Sequence, residues 1–288
     1  MTEGRVLAIA GAKGGVGKTT VALNLGVALA AAGERVIVVE LDLAMANLVD
    51  FLDIDPPVTI HDVLAGQGSI ADAIVRSFEG PDLLPAGTDL EGFDAVNVAT
   101  IAPIVRALEP KYDFVLIDTA AGVSPETIYP LRLAEEVIVV STPRVAAIRD
   151  TKKTMALAER VSGEVGGVIF NRTGTGNAPP PERLAAFLDT NLLGAIPDDP
   201  TVPEAQDLGE PVVRHTPDSP AAEAIASIAD EFALGREDHG GAMGTGGITD
   251  FTRAEEIVEA AEAADPGDEV LAIDDDETEG GFEFVEGG

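Results

Sequence analysis

The sequence predicts a doubly wound, mostly parallel α/β sheet flanked by helices, and three observations carry that expectation. Apolar, β-rich runs alternate with helical patterns from residue 6 to about residue 233, the order that a parallel sheet with crossover helices imposes. Several runs, among them Phe114-Val115-Leu116-Ile117 and Val137-Ile138-Val139-Val140, are apolar at every position, as strands buried on both faces must be. A glycine-rich turn joins the first run to the first helical pattern. In chain order, strands are expected at Val6–Gly11, Val36–Glu40, Asp82–Pro85, Phe114–Asp118, Val137–Ser141, Val165–Asn171 and Leu192–Ile196. Helices are expected near 18–32, 59–75, 96–109, 125–133, 145–162, 181–189, 202–208 and 219–233.

The pattern stops near Leu234, so residues 1–234 read as one catalytic-sized domain. Residues 235–249 are glycine-rich and read as a flexible linker. In 250–288, Phe251–Ala264 places Phe251, Ala254, Ile257, Val258 and Ala261 at helical spacing, and the remainder is acidic and expected to be largely disordered.

Composition narrows the chemistry. The 288 residues contain no Cys, which removes disulfides, thiolate metal sites and Cys nucleophiles. The start, Met-Thr-Glu-Gly-Arg, lacks a signal core, and no apolar run reaches the ~20 residues of a membrane span; a cytoplasmic location is expected. Asp and Glu number 51 against 18 Lys and Arg. Residues 1–235 alone hold 34 acidic and 16 basic side chains, so the acidity is not confined to the tail. Such a surface suits a high-salt cytosol, where screening suppresses self-repulsion, and it repels nucleic acid and anionic lipid unless a local basic patch intervenes.

The most specific signal is Gly11-Ala12-Lys13-Gly14-Gly15-Val16-Gly17-Lys18-Thr19-Thr20, set between a buried strand and a helix. Glycines let backbone N–H groups turn toward a polyphosphate, and the helix adds its positive N-terminal end. Lys18 reaches β- and γ-phosphates in such a loop, while the Thr19 hydroxyl ligates Mg²⁺. Asp118 ends an apolar strand in the manner of a Walker B carboxylate and is expected to hold Mg²⁺. Asp42 and Asn171 also follow predicted strands, and ligands of doubly wound sheets sit outside the carboxyl ends of strands. A helix N-cap for Asp42 and an Asx turn for Asn171 are the plainer readings of those two.

Together, Lys13-Gly14-Gly15-Val16-Gly17-Lys18-Thr19-Thr20 resembles the deviant Walker A motif of the MinD/ParA family of P-loop ATPases, on its MinD-like branch. With the acidity, the resemblance points to a halophilic archaeal member. It implies an ATP-dependent homodimer in which Lys13 crosses to the partner's nucleotide, with ATP and Mg²⁺ as cofactors. The phosphates would be bound by Gly14, Gly15, Val16, Gly17, Lys18, Thr19 and Thr20. Asp42 matches the second acidic residue of switch I, which positions the attacking water; the first, normally Asp, is Glu40 here, which places a longer side chain near the metal's outer shell. Asp118-Thr119-Ala120-Ala121-Gly122 is similar to switch II, with Ala120 where Pro is common and Gly122 able to bring an amide to the γ-phosphate. Val140-Ser141-Thr142-Pro143-Arg144 through Asp150 looks like the segment after the MinD-branch strand. Asn171 resembles the residue that reads adenine, and Ile196-Pro197-Asp198-Asp199 a loop that lines the base. His61, in Ile60-His61-Asp62, reads as structural.

The resemblance further implies spatial positioning in cell division, chromosome or surface-structure placement, with a protein partner or activator. No direct membrane anchor is expected, because Phe251–Ala264 carries Arg253 against four Glu. A DNA-partition ATPase of ParA type would need a basic patch from Arg132, Arg144, Arg149, Lys152 and Lys153, and the surrounding acidity disfavours it. A nucleotide-gated scaffold without hydrolysis is the other alternative, and a metallocentre-assembly role lacks its cysteines.

Overall fold

A computed structural model describes residues 4–11, 13–77, 79–88, 100–122, 125–161 and 163–235. The elements are β1 (Arg5–Ala10), α1 (Lys18–Ala31), β2 (Val36–Leu41), α2 (Leu48–Leu52), α3 (Ile60–Leu64), α4 (Ile70–Ala73), β3 (Asp82–Leu84), α5 (Ile101–Leu108), β4 (Phe114–Thr119), α6 (Pro125–Leu133), β5 (Glu136–Ser141), α7 (Val145–Arg160), β6 (Glu164–Thr173), α8 (Pro181–Phe187), β7 (Leu192–Pro197), α9 (Thr201–Asp207), α10 (Val212–His215) and α11 (Pro220–Gly235). The seven strands form one sheet in the order β3-β2-β4-β1-β5-β6-β7, every named pair parallel.

Side chains alternate across the sheet with period two. Val6, Ala8, Val115, Ile117, Val137 and Val139 enter a core closed by α3, α5, α6, α7 and α8. Leu7, Ile9, Phe114, Leu116, Ile138 and Val140 enter the opposite core, closed by α1, α10 and α11. Helix α1 is buried from Val21 to Leu29 because the sheet lies on one side of it and α11 on the other. Its Asn24 is fully buried. The Nδ2 donates to the Thr20 carbonyl at 2.8 Å, and the Oδ1 accepts the Val213 N–H at 3.1 Å.

All seven expected strands are present, with ends displaced by one or two residues. The helical pattern at 59–75 resolves into two short helices, because Gly66 turns the chain with φ of +73°. Asp62 marks the start of the first by accepting the Thr59 N–H at 2.7 Å. The expected helix at 96–109 is present as α5; residues 96–99 lie outside the described residues. Helices α2 and α10, of five and four residues, are additions that sequence periodicity does not reveal. The linker and tail assigned to 235–249 and 250–288 lie outside the described residues beyond Gly235. Among the described residues no helix is long and apolar enough to cross a membrane.

Candidate active site

Because every strand points the same way, the loops after β1, β2, β4, β5 and β6 gather at one edge of the sheet. The loop after β1 turns through Gly15 (φ +79°) and Gly17 (φ +97°), both left-handed conformations that favour glycine. Gly17 is also the residue that caps α1, and a Cβ there would collide with the Asn171 amide nitrogen. A Cβ on Gly14 or Gly15 would meet only open space, so that side of the loop is free to approach a ligand. Val16 is buried on the other side and anchors the loop in the core.

Lys18 begins α1 and is buried, its Nζ 4.0 Å from Asp42 Oδ2. Thr19 Oγ1 donates to Asp118 Oδ2 at 2.5 Å. Asp118 is fully buried, and its second oxygen, Oδ1, has no hydrogen-bond partner. Burial pushes the Asp118 carboxyl up to about 7, against the opposing pull of the Thr19 hydroxyl and Lys18. Burial raises Asp42 as well, while Lys18 opposes the rise. An orphaned buried carboxylate oxygen beside a hydroxyl is an incomplete shell of hard oxygen donors, the set that suits Mg²⁺. Among the described residues no group of three or more His, Cys, Asp or Glu could hold a metal, so a cation here would complete its shell with phosphate and water.

Glu40 is the register partner of Asp118, with its carboxylate turned onto backbone amides. It is fully buried, and its Oε1 accepts the N–H groups of Asn47 at 2.7 Å and Leu48 at 3.0 Å. Its Oε2 accepts the Ala86 N–H at 2.9 Å. The longer side chain therefore ties the loop after β2 to the loop after β3. Burial raises its pKa, and the three amides work against that rise.

Lys13 lies across the loop from Lys18, its side chain 52% exposed and its Nζ 2.6 Å from Asp150 Oδ2 on α7. Gly122, after β4, has φ of +95°, and a Cβ there would meet only open space. Asn171 stands at the end of β6, where its Nδ2 donates to the Val16 carbonyl at 2.9 Å and its Oδ1 accepts the Arg172 N–H at 3.0 Å. In this arrangement it braces the glycine-rich loop. The nearby Asp199 binds the amides of Thr201 and Ala221 and so fixes the starts of α9 and α11. His61 is buried and accepts the Gly87 N–H through Nδ1 at 3.0 Å, the structural role its sequence context suggests.

Three contributors were not singled out from sequence for these parts: Asp150 as the partner of Lys13, Asn24, and Gln206, whose Nε2 donates to Thr20 Oγ1 at 3.0 Å. Asn24 left a signal, a lone amide inside the apolar run Val21–Ala32. Gln206 left none, since it is 186 residues from its partner.

Comparison with known proteins agrees with the fold. A family model described as an AAA domain matches residues 4–165, and a ParA model described as NUBPL iron-transfer P-loop NTPase matches residues 104–233. An ATP-binding protein of Methanocaldococcus jannaschii is 38% identical over 225 residues, 77% of this chain and 85% of the relative. The cell division ATPase MinD of Pyrococcus furiosus superposes with a TM-score of 0.77 at 35% identity, covering 80% of this chain and 99% of that one. The septum site-determining protein MinD of Pyrococcus horikoshii, complexed with Mg-ADP, gives 0.76 at 37% identity, covering 79% and 95%. The matched segments contain the glycine-rich loop, Asp42, Asp118 and Asn171 together, and the chain belongs to the MinD/ParA family of P-loop ATPases.

Proposed function

We propose that this chain binds Mg-ATP, dimerises on it and hydrolyses it, and that the resulting cycle positions a cellular structure. The observation that carries the reading is the orphaned Asp118 Oδ1 beside Thr19, directly under a glycine-rich loop whose lysine faces Asp42. Loop amides and Lys18 would grip the β- and γ-phosphates. Thr19 and Asp118 would hold Mg²⁺, which when bound neutralises phosphate charge. Asp42 would accept a hydrogen bond from the attacking water and align it with the γ-phosphorus. The amide of Gly122 can approach the same phosphate.

Lys13 would act from the second subunit. Its exposure and its ion pair with Asp150 of its own chain supply a rest position, from which transfer to a partner's nucleotide exchanges one anionic contact for another. Asn171 supports the loop and would stand near the base. The match to an iron-transfer model covers the fold but not that chemistry, for the chain has no cysteine to hold a cluster. With Arg253 against four Glu in residues 251–264, a protein partner rather than lipid fits the role of recruiting the dimer.

The test is ATP turnover as a function of protein concentration, for wild type and Lys13→Ala. Specific activity rising with concentration, and lost in the variant, is the expected result. Activity independent of both would remove the dimer. On the dimer reading, sedimentation of Asp42→Ala with Mg-ATP should show a trapped dimer, and Lys18→Ala should lower turnover by roughly 10²–10³-fold.

A further inference from the structure

The positive charge of this chain is concentrated in one place. Residues 144–183 carry seven Lys and Arg against four Asp and Glu, within a chain of net charge −33. Of the cations elsewhere, four are drawn onto carboxylates: Arg5 onto Glu136, Arg35 onto Asp113, Arg76 onto Asp82 and Arg214 onto Glu79. At the start and on the outer side of α7, Arg144, Arg149 and Lys153 make no ion pair with any described residue. Arg149, Lys152, Lys153 and Arg160 are all exposed and recur at the three-, four- and seven-residue spacings of one helix face. Ile148, Thr151 and Met155 are buried on the other face. Helix α8 extends the patch, with exposed Arg183 and with the Phe187 ring 5.7 Å from Lys152 Nζ. In so acidic a chain, a cationic helix face is a favourable surface for an acidic segment.

We propose that the segment Phe251–Ala264 of the same chain docks across α7 and α8. Its charge is complementary, Glu255, Glu256, Glu259 and Glu262 against Arg253. Its apolar residues Phe251, Ile257 and Val258 have counterparts in the exposed Val145 and Phe187. The point of departure is also right. Helix α11 ends at Gly235, where an added Cβ would lie 3.9 Å from Arg5 Nη1. Arg5 binds Glu136, the first residue of β5, and Glu136 is in register with Glu164, the first residue of β6. Since α7 leads into β6, the chain leaves the core two strands from the end of α7 and on the opposite face of the sheet, a separation of roughly 20 Å round the sheet's edge.

Reach is sufficient. A glycine-rich stretch the length of residues 236–250 spans ~20 Å, and a helix the length of α7 is ~24 Å long. Tethering also sets an effective concentration in the millimolar range, an advantage that free nucleic acid lacks when it approaches a chain of net charge −33. The proposal does not depend on the ATPase reading.

The test uses the full chain, as an equal mixture of ¹⁵N-labelled and unlabelled protein at low ionic strength. A carbodiimide joins lysine to carboxylate where the two touch, and peptide mass mapping locates the joins. Lys152 and Lys153 should couple to Glu255, Glu256, Glu259 or Glu262 within one isotopic species, with a yield independent of protein concentration. That yield should fall several-fold in 1 M salt, where the Debye length shrinks to ~3 Å, and in Arg149→Gln/Arg160→Gln. Should that variant misfold, a paramagnetic label on Ala261→Cys gives an independent reading: amides of α7 and α8 should broaden more than those of α1 and α11. Coupling of these lysines only to carboxylates of residues 1–235, or predominantly between isotopic species, would overturn the proposal. So would duplex DNA protecting Lys152 and Lys153 from modification in a chain whose tail gives no cross-link.

Discussion

Two carboxylates stand side by side at the working edge of the sheet. Glu40 on β2 and Asp118 on β4 are register partners, and both are closed to solvent. Glu40 is saturated by three backbone amides from two loops. Asp118 accepts one hydroxyl and leaves Oδ1 unmatched. Burial lifts both pKa values, so titration direction does not separate them; hydrogen-bond satisfaction does. A buried acceptor with all its partners is a fastener, whereas one held short of partners is poised for a ligand the protein does not itself provide.

The contrast can be broken most severely at Glu40. Glu40→Ala strands three amides and opens a cavity, and should cost roughly 2–4 kcal/mol, read as a lower urea midpoint at unchanged slope. A stability close to wild type would show that the amides find other partners. At Asp118 the sign should reverse. Asp118→Asn removes a charge the fold does not match and should stabilise the nucleotide-free protein by about 1–3 kcal/mol at pH 8, while Mg²⁺-dependent turnover is lost.

Acidity sharpens the same point. The folded-state pKa of Asp118, about 7, lies above its ordinary 3.8. Its contribution to stability is therefore complete below pH 3.8 and disappears as pH rises through about 7. Without Mg²⁺, the urea midpoint should fall as pH rises from 5 and level off above about 7, and Asp118→Asn should flatten that part of the slope. Glu40 contributes with the same sign, so a residual slope in the variant is expected. The smallest effect is at Asn171, where Asn171→Ala removes the donor to Val16 and should cost about 1 kcal/mol. Thermal melting checks this, with nucleotide titration showing whether the brace also matters for binding.

Much of this was legible in sequence because burial writes itself as composition. Strands covered on both faces are apolar along most of their length, so Phe114-Val115-Leu116-Ile117 announces β4 without reference to its neighbours. The glycine-rich loop was legible because Gly15 and Gly17 occupy conformations, and Gly17 also a space, that other residues tolerate poorly. What escaped was set by tertiary distance. The carboxylate of Glu40 reaches Ala86, 46 residues away, and nothing local distinguishes it from a metal-side acid. Helices α2 and α10 are too short for periodicity to register, and the break at Gly66 is outvoted by the apolar positions around it. Asn171 was expected beside a base; its bracing of the loop at Val16 and Gly17 was not foreseen.

The fastening at Glu40 has a consequence for how the site moves. Asn47, Leu48 and Ala86 lie in segments separated by almost 40 residues of chain, yet their amides end on one carboxyl group. An opening that moves the Glu40 carboxylate strips the acceptor from all three at once, and their protons then exchange with solvent together. Asp42 lies between Glu40 and Asn47, within the closed loop. It can reorient with the loop's ends pinned, as a short span flexes between fixed piers.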